Sequence, residues 1–224
     1  HTALRRQRQM CIRDRIDALQ KDFGNRDPKS SFLTEIATTI GVLQHAIKNV
    51  DKWTKDEKRP SNVDRPFFIR MLMGFLGSKS YIKYQPLGTV GVISPWNFPV
   101  NLILAPLGGI FAAGNRAMIK PSELTPATSE VTKRMFEAYF DKSEAAVFTG
   151  DAEVGAAFSA LPFDHLLFTG GTQIGKKVMK AASDNLVPVT LELGGKSPVI
   201  VDENADLSDV AKKVMRGKTM NAGQ

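Results

Sequence analysis

Two polar side chains in apolar segments are suited to oxyanion stabilisation and to general base catalysis. Asn97 lies between two aromatic residues in the proline-bounded segment Pro95–Pro99. An asparagine amide held rigidly could donate to a developing oxyanion, and a rigid turn with a buried tryptophan is the structural alternative. Glu192 lies in the apolar segment Leu191–Gly195, where partial burial would suit its carboxylate to general base catalysis. A glutamate paired with a nearby lysine is the alternative there.

A third segment, Phe168–Lys176, has the features of an anion site. An apolar β-type run leads into Gly170 and Gly171, and a helix is predicted directly after Thr172. The free backbone N–H groups and the positive end of such a helix attract a phosphate. The spacing up to Gly175 is G-G-x-x-x-G and differs from the usual dinucleotide fingerprint, so a purely structural turn is also consistent with it.

The fourth segment contains Lys120, Ser122 and Glu123 after another apolar run. The ammonium group and the carboxylate could form hydrogen bonds with the hydroxyl groups of a ribose. The alternative is a Ser/Glu helix cap beside a surface lysine.

These segments follow short apolar runs that alternate with helical patterns and Gly/Pro turns. The pattern predicts strands over 89–94, 117–120, 146–149, 165–169, 187–193 and 198–201, and helices over 99–113, 125–139, 151–160 and 173–184. The last of these helices would have Ile174 and Val178 on its inner face. Such alternation predicts an α/β fold, a Rossmann-like, doubly wound, mostly parallel sheet with right-handed crossovers and N-terminal helices. Ligands of these sheets bind at the carboxyl ends of the strands, where all four segments fall.

The residues before this sheet divide into two parts. Residues 1–15 form a basic arm or a sequence scar, and a frayed helical start is the alternative. Residues 16–83 form an N-terminal helical segment, with a helix over 30–53 and a charged surface connection over 52–66. The bulky apolar residues of 67–77 are expected to be buried or packed on a neighbour. The dinucleotide-binding domain takes up residues 84–224.

Composition excludes several classes of protein. Hydrophobic residues make up 42% and charged residues 24%, as in globular proteins, and no apolar run reaches the length of a membrane span. Residues 1–15 contribute +4 of the net charge of +7, and no reader motif accompanies them, so nucleic-acid binding is not expected. Cys11 is the single cysteine and the three histidines are scattered, so we expect no disulfide, no metal site and a reducing, cytoplasmic compartment.

Taken in order and spacing, the four segments resemble the aldehyde dehydrogenase superfamily. The match runs from about Tyr84 to Gln224 and more loosely back to Arg15. The segment Pro188–Glu192 and the residues Asp164 and His165 look most like the class 3 branch, which includes fatty aldehyde and coniferyl aldehyde dehydrogenases.

The resemblance implies an NAD(P)-dependent oxidation of an aldehyde to a carboxylic acid through a cysteine thioester. Asn97 would be the oxyanion donor and Glu192 the general base. The cofactor-binding residues would be Ser94, Trp96, Lys120, Ser122, Glu123, Gly170, Gly171, Thr172, Gly175 and Leu193. Glu123 favours NAD, although NADP is possible, and Gly171 replaces a serine that many members carry, which predicts looser cofactor binding. The complete protein would be a homodimer or homotetramer.

The same resemblance places the nucleophilic cysteine just after the segment Asn221–Gln224, two residues beyond Gln224. Because thioester chemistry needs this nucleophile, we expect no aldehyde oxidation from the 224 residues alone. Three other interpretations stay open at this point: a bare dinucleotide-binding module, a non-catalytic structural relative, and a basic nucleic-acid binder.

Overall fold

The computed structural model describes residues 2–24, 26–60 and 64–224. Its helices are α1 (Thr2–Phe23), α2 (Pro28–Ser31), a π-helical segment (Phe32–Ala37), α3 (Thr38–Trp53), α4 (Phe67–Phe75), α5 (Asn101–Ala112), α6 (Pro126–Tyr139), α7 (Ala152–Ser159), α8 (Thr172–Ser183) and α9 (Leu207–Thr219). Its strands are β1 (Glu57–Arg59), β2 (Ser80–Ile82), β3 (Thr89–Ile93), β4 (Arg116–Lys120), β5 (Ala145–Val147), β6 (His165–Gly170) and β7 (Val189–Leu193). None of the helices in these ranges is long and apolar enough to cross a membrane.

Five strands form one parallel sheet in the order β5-β4-β3-β6-β7, and β1 pairs with β2 in a separate antiparallel ribbon. Helices α5 and α6 pack on one face of the parallel sheet, around the buried side chains of Val92, Ile119 and Phe136. Helices α7 and α8 pack on the other face, where Phe158 and Val178 are buried. The predicted doubly wound α/β fold with N-terminal helices is therefore confirmed.

Three sequence expectations about the elements are wrong. Residues 198–201 form no strand, because in the described chain β7 is the edge of the sheet and nothing lies beyond it to pair with. The last paired strand begins at Val189 and not at position 187, since Leu186 has a positive φ of 54° and Pro188 directly precedes the strand. Ile174 was expected on the inner face of α8 but is 52% exposed, because that face consists of Gly175, Val178 and Ala182.

Most of the apolar residues of 67–77 lie in helix α4, and they are exposed within this chain. The expectation that they are buried in the chain itself is therefore wrong, and their packing on a neighbour stays a prediction. The charged connection over 52–66 is exposed at its described positions, and positions 61–63 lie outside the described residues. His1 and the side chain of Cys11 also lie outside them. Helix α1 begins at Thr2 and continues without a break past position 15.

A carboxylate of the N-terminal helical segment caps a helix of the sheet domain. Asp22, near the end of α1, accepts hydrogen bonds from the backbone amides of Ala127 and Thr128 in the first turn of α6, at 2.9 and 2.8 Å. It also accepts one from the Thr128 hydroxyl, at 2.7 Å. The first amides of a helix have no partner within the helix, so a carboxylate at this position satisfies them and complements the helix dipole.

We predict that Asp22→Ala lowers the stability of the full-length protein by about 1–3 kcal/mol, because the α6 amides lose charge-assisted hydrogen bonds. Asp27→Ala is the matched control, since Asp27 caps only the four-residue helix α2, through an exposed bond to the Ser30 amide. Calorimetric unfolding checks the difference. Equal unfolding midpoints for the two variants would show that Asp22 contributes nothing beyond a local cap.

Candidate active site at the carboxyl edge of the sheet

The parallel register brings the four segments together at one edge of the sheet. Ile93, the last residue of β3, pairs with Lys120 on one side and with Phe168 on the other. Gly170, at the end of β6, pairs with Leu193, at the end of β7. The residues predicted to bind the cofactor or act in catalysis therefore occupy these strand ends and the turns and helix starts that follow them.

The turn after β3 fixes the orientation of the Asn97 amide. Its Oδ1 accepts a hydrogen bond from the backbone amide of Phe98 at 3.0 Å. The donor atom of the side chain is therefore Nδ2, and among the described residues no hydrogen bond engages it. Trp96 is 42% exposed and lies 6.4 Å from the Phe23 ring, so the alternative of a turn around a buried tryptophan does not hold.

Arg26 holds the same turn from the N-terminal segment. Its Nη1 donates to the Asn97 carbonyl oxygen at 3.2 Å and lies 3.2 Å from Oε1 of Glu35. The guanidinium carbon is 4.7 Å from the Phe23 ring centre and 5.2 Å from that of Phe98, so the group is held between two aromatic rings. No motif in the sequence indicates this arginine, because it contacts Asn97 across 71 residues of chain.

Glu35 is fully buried and is the partner of that arginine. Its Oε2 accepts hydrogen bonds from the amides of Val100 and Asn101, at 3.1 and 2.8 Å, and so caps α5. Burial raises the pKa of the Glu35 carboxyl, and the bond from Asn101 and the charge of Arg26 oppose that rise. Burial also disfavours the charged form of Arg26 and so lowers the pKa of its guanidinium group. No local pattern in the sequence indicates this pair, because the residues buried beside Glu35 in the same helical segment include the polar Ser31 and Thr39.

Lys120, at the end of β4, is buried, so the alternative of a surface lysine at this position does not hold. Its Nζ donates to the carbonyl oxygen of Pro121 at 2.9 Å and lies 3.5 Å from Oε2 of the exposed Glu123. Ser122 is buried, and its hydroxyl accepts from the amide of Leu124 at 3.2 Å, as expected for a capping turn. Beside this turn lies a cavity of about 270 Å³, lined by Pro121, Ser122, Glu123, Pro126, Ser129, Glu130, Thr149 and Gly150.

Near the start of α8, Gly175 is closely packed and Gly171 has open space around it. A Cβ on Gly175 would lie 2.8 Å from Cδ2 of Leu193 and 3.3 Å from Cε1 of Phe168, so this glycine lets the helix pack directly on the strand ends. A Cβ on Gly171 would meet no atom of the described chain within 4 Å. Gly170 lies against the Phe168 ring, which a Cβ there would approach to 2.6 Å. Gly175 and Leu193 therefore position the helix start, and Gly171 and the exposed Thr172 face open space.

Glu192 pairs in register with Thr169 and is exposed, so the expected partial burial of its carboxylate is wrong for this chain. The physical reason is that β7 is the edge strand, and residues 194–206 leave it uncovered. Among residues 2–24, 26–60 and 64–224, no group of three or more histidine, cysteine or acidic side chains is arranged to hold a metal ion.

Ser94 completes the edge. Its backbone amide donates to the Lys120 carbonyl oxygen at 3.1 Å, which extends the pairing of β3 and β4 by one residue. Its side chain is buried, and its hydroxyl has no hydrogen-bond partner within the described part of the chain. The hydroxyls of Ser31 and Thr125 are likewise buried without a partner in the described part of the chain.

Comparisons with known sequences and structures give the same family that the four segments resemble. Residues 9–224 match the sequence profile of the family described as "Aldehyde dehydrogenase family". A probable coniferyl aldehyde dehydrogenase of Caulobacter vibrioides is 56% identical over 92% of this chain, and the chain spans 41% of that relative. The predicted likeness to the class 3 branch is thereby confirmed.

Solved structures agree with the fold. AldH of Staphylococcus aureus, in a substrate-bound state, superposes with a TM-score of 0.80 at 40% identity, over 97% of this chain and 47% of its own. An aldehyde dehydrogenase of Mycobacterium tuberculosis, complexed with NAD+, superposes with a TM-score of 0.75 at 26% identity, over 97% of this chain and 45% of its own. The chain thus spans less than half the length of these proteins, and by its sequence and its fold it belongs to the aldehyde dehydrogenase family.

Proposed function

We propose that the full-length protein containing this chain oxidises an aldehyde to a carboxylic acid with NAD as the hydride acceptor. The observation that carries the proposal is the oriented Asn97 amide at the edge where the four segments meet. An aromatic aldehyde such as coniferyl aldehyde is the first substrate to test, because the relative from Caulobacter vibrioides is named for it.

The residues at the edge fit a dinucleotide. The start of α8 offers amides and an open face at Gly171 for a pyrophosphate, and the unpaired hydroxyl of Ser94 lies at the same edge. Lys120 and Glu123 present an ammonium group and a carboxylate for ribose hydroxyls. NAD would supply the nicotinamide ring that accepts hydride from the substrate carbon.

The chain's own groups have distinct tasks in this reaction. Asn97 Nδ2 donates to the oxygen that becomes negatively charged when a nucleophile adds to the aldehyde carbon. Glu192, exposed at the end of β7, accepts a proton from the water that releases the acid product. The cysteine that the family resemblance implies as nucleophile is not among the 224 residues, whose single cysteine is Cys11.

An expected consequence is that Asn97→Ala lowers kcat of the full-length protein by roughly 10²–10³-fold, the usual effect of removing one oxyanion donor. The measurement is NADH formation with coniferyl aldehyde and with a short aliphatic aldehyde. Asn185→Ala is the matched control, since the amide of Asn185 bonds the Ala160 carbonyl oxygen at the far end of α8 and should leave kcat unchanged. A wild-type protein that binds NAD but oxidises neither aldehyde would instead favour a non-catalytic relative.

The open and packed glycines give a separate test of cofactor binding. Gly171→Ser should tighten NAD binding about tenfold, because a Cβ at this position meets no atom of the described chain and the added hydroxyl can donate to the pyrophosphate, while the unfolding temperature stays that of wild type. Gly175→Ala should lower that temperature, because its Cβ collides with Leu193 and Phe168. Titration calorimetry with NAD alone and thermal unfolding separate the two effects. Wild-type NAD affinity in Gly171→Ser would place the pyrophosphate elsewhere.

We also propose that NAD is preferred over NADP. The cavity beside Glu123 contains a second carboxylate, Glu130, and no lysine or arginine among its lining residues, so a 2′-phosphate there would meet like charge. Glu123→Gln should raise the NADP-to-NAD ratio of kcat/KM roughly tenfold, and Glu137→Gln, on helix α6 outside the cavity, should not. Steady-state kinetics with both cofactors measures the ratio. An unchanged ratio in Glu123→Gln would contradict the proposed preference.

Two further features of the complete protein stay predictions. The exposed apolar residues of α4 are consistent with a surface that another part of the protein or a second copy covers, as in the expected homodimer or homotetramer. A cytoplasmic location is predicted from the use of a single cysteine.

A further inference from the structure

The amide proposed to stabilise the oxyanion is held through a buried ion pair that comes from outside the sheet domain. Arg26 Nη1 is 3.2 Å from the Asn97 carbonyl oxygen and 3.2 Å from Glu35 Oε1, and its side chain is only 10% exposed. Glu35 in turn holds the amides of Val100 and Asn101, which follow Asn97 by three and four residues. Both ends of the turn are therefore bonded to the same pair of charges.

The arrangement places more constraint on this turn than helix capping needs. The Glu35 carboxylate alone satisfies the first amides of α5. Arg26 adds a bond to the carbonyl of Asn97 itself, and its guanidinium also lies against the ring of Phe98, the next residue. Because the Asn97 Oδ1 accepts from the Phe98 amide, any rotation of that peptide also rotates the side-chain amide. Arg26 thus acts on the backbone groups that determine where Nδ2 points.

The backbone of the N-terminal segment is shaped for this contact. Glu35 lies within the π-helical segment Phe32–Ala37, and it is buried although its neighbours Leu33 and Thr34 are exposed or half-exposed. A π-helical turn carries one extra residue and is often found at functional sites. Burying a charge pair is costly in free energy, so a pair retained at this position is consistent with a positional role beyond stability.

We propose that Arg26 and Glu35 are positioning residues for the reaction, which act by holding the Asn97 amide in the orientation that donates to the oxyanion. This inference rests on the proposed function, since it concerns the reaction that Asn97 would serve. It differs from a plain stabilising role in one measurable respect. A positioning pair affects turnover only while Asn97 is present, whereas a structural pair affects the protein whether or not Asn97 is there.

The test is a double-mutant cycle in the full-length protein with NAD and an aldehyde that wild type oxidises. Arg26→Lys keeps the charge but cannot reproduce the planar guanidinium between the two rings, and it should lower kcat roughly tenfold or more while the affinity for NAD stays unchanged. On an Asn97→Ala background the same substitution should change kcat by less than about twofold, because the group it positions is gone. Glu35→Gln should behave in the same way as Arg26→Lys.

Asp22→Asn is the matched control for Glu35→Gln, because it also converts a capping carboxylate of the N-terminal segment into its amide, on α6 and not on α5. Thermal unfolding of both variants reports their structural cost, and kcat of Asp22→Asn should stay that of wild type. If Arg26→Lys lowers the unfolding temperature too far for assay, Glu35→Gln and Arg26→Ala supplemented with millimolar guanidinium replace it. Recovery of kcat by guanidinium would support the proposal.

The outcomes separate the two proposals. A wild-type protein that oxidises no aldehyde, or an Asn97→Ala variant with wild-type kcat, overturns the proposed function. If wild type is active and Asn97→Ala is impaired, the proposed function stands. The inference is then overturned if both Arg26→Lys and Glu35→Gln have wild-type kcat. It is also overturned if either substitution lowers kcat by the same factor in the Asn97→Ala background as in wild type. A kcat loss in Asp22→Asn as large as in Glu35→Gln would also overturn it.

Discussion

The described structure depends on negative charge supplied to helix starts from a distant part of the chain. The sheet domain forms helices α5 and α6 directly after strands β3 and β4, and their first amides are bonded by Glu35 and Asp22 from the N-terminal segment. Through its bonds to Val100 and Asn101, Glu35 restrains the turn after β3, which contains Asn97, whereas Asp22 ties α6 to the N-terminal segment. The N-terminal helices therefore restrain an edge to which they contribute no predicted site residue.

Two glycines have different structural roles at the other half of the edge, where α8 follows β6 and lies beside the end of β7. Gly175 brings α8 against Leu193 and Phe168, and so fixes the direction in which the helix start points. Gly171 keeps the space in front of that start open. The family resemblance assigned Gly171, Thr172, Gly175 and Leu193 to the cofactor. In the structure Gly175 and Leu193 are packed against each other and so position the helix, whereas Gly171 and Thr172 are exposed.

The strand ends and the four segments could be predicted from sequence because each depends on local pattern: a β-type run, a glycine or proline turn, and a helix start. Arg26 and Glu35 could not, since their roles come from contacts with residues 65 to 71 positions away. The strand expected over 198–201 and the burial expected for Glu192 failed for a related reason. An apolar run becomes a strand, and an edge carboxylate becomes buried, only when another element pairs with it or covers it, and β7 has no such neighbour in the described chain.

The reach of Asp22 across 105 residues has a consequence for the order in which the chain can become structured during translation. Residues emerge from the ribosome from the N-terminus onward, and contacts between distant residues cannot form until the later one has appeared. Helix α1 and the buried residue Leu19 are made long before α6, which α1 packs against. The nascent chain therefore contains Asp22 long before the helix that it caps, and this contact can form only after α6 (Pro126–Tyr139) has been made.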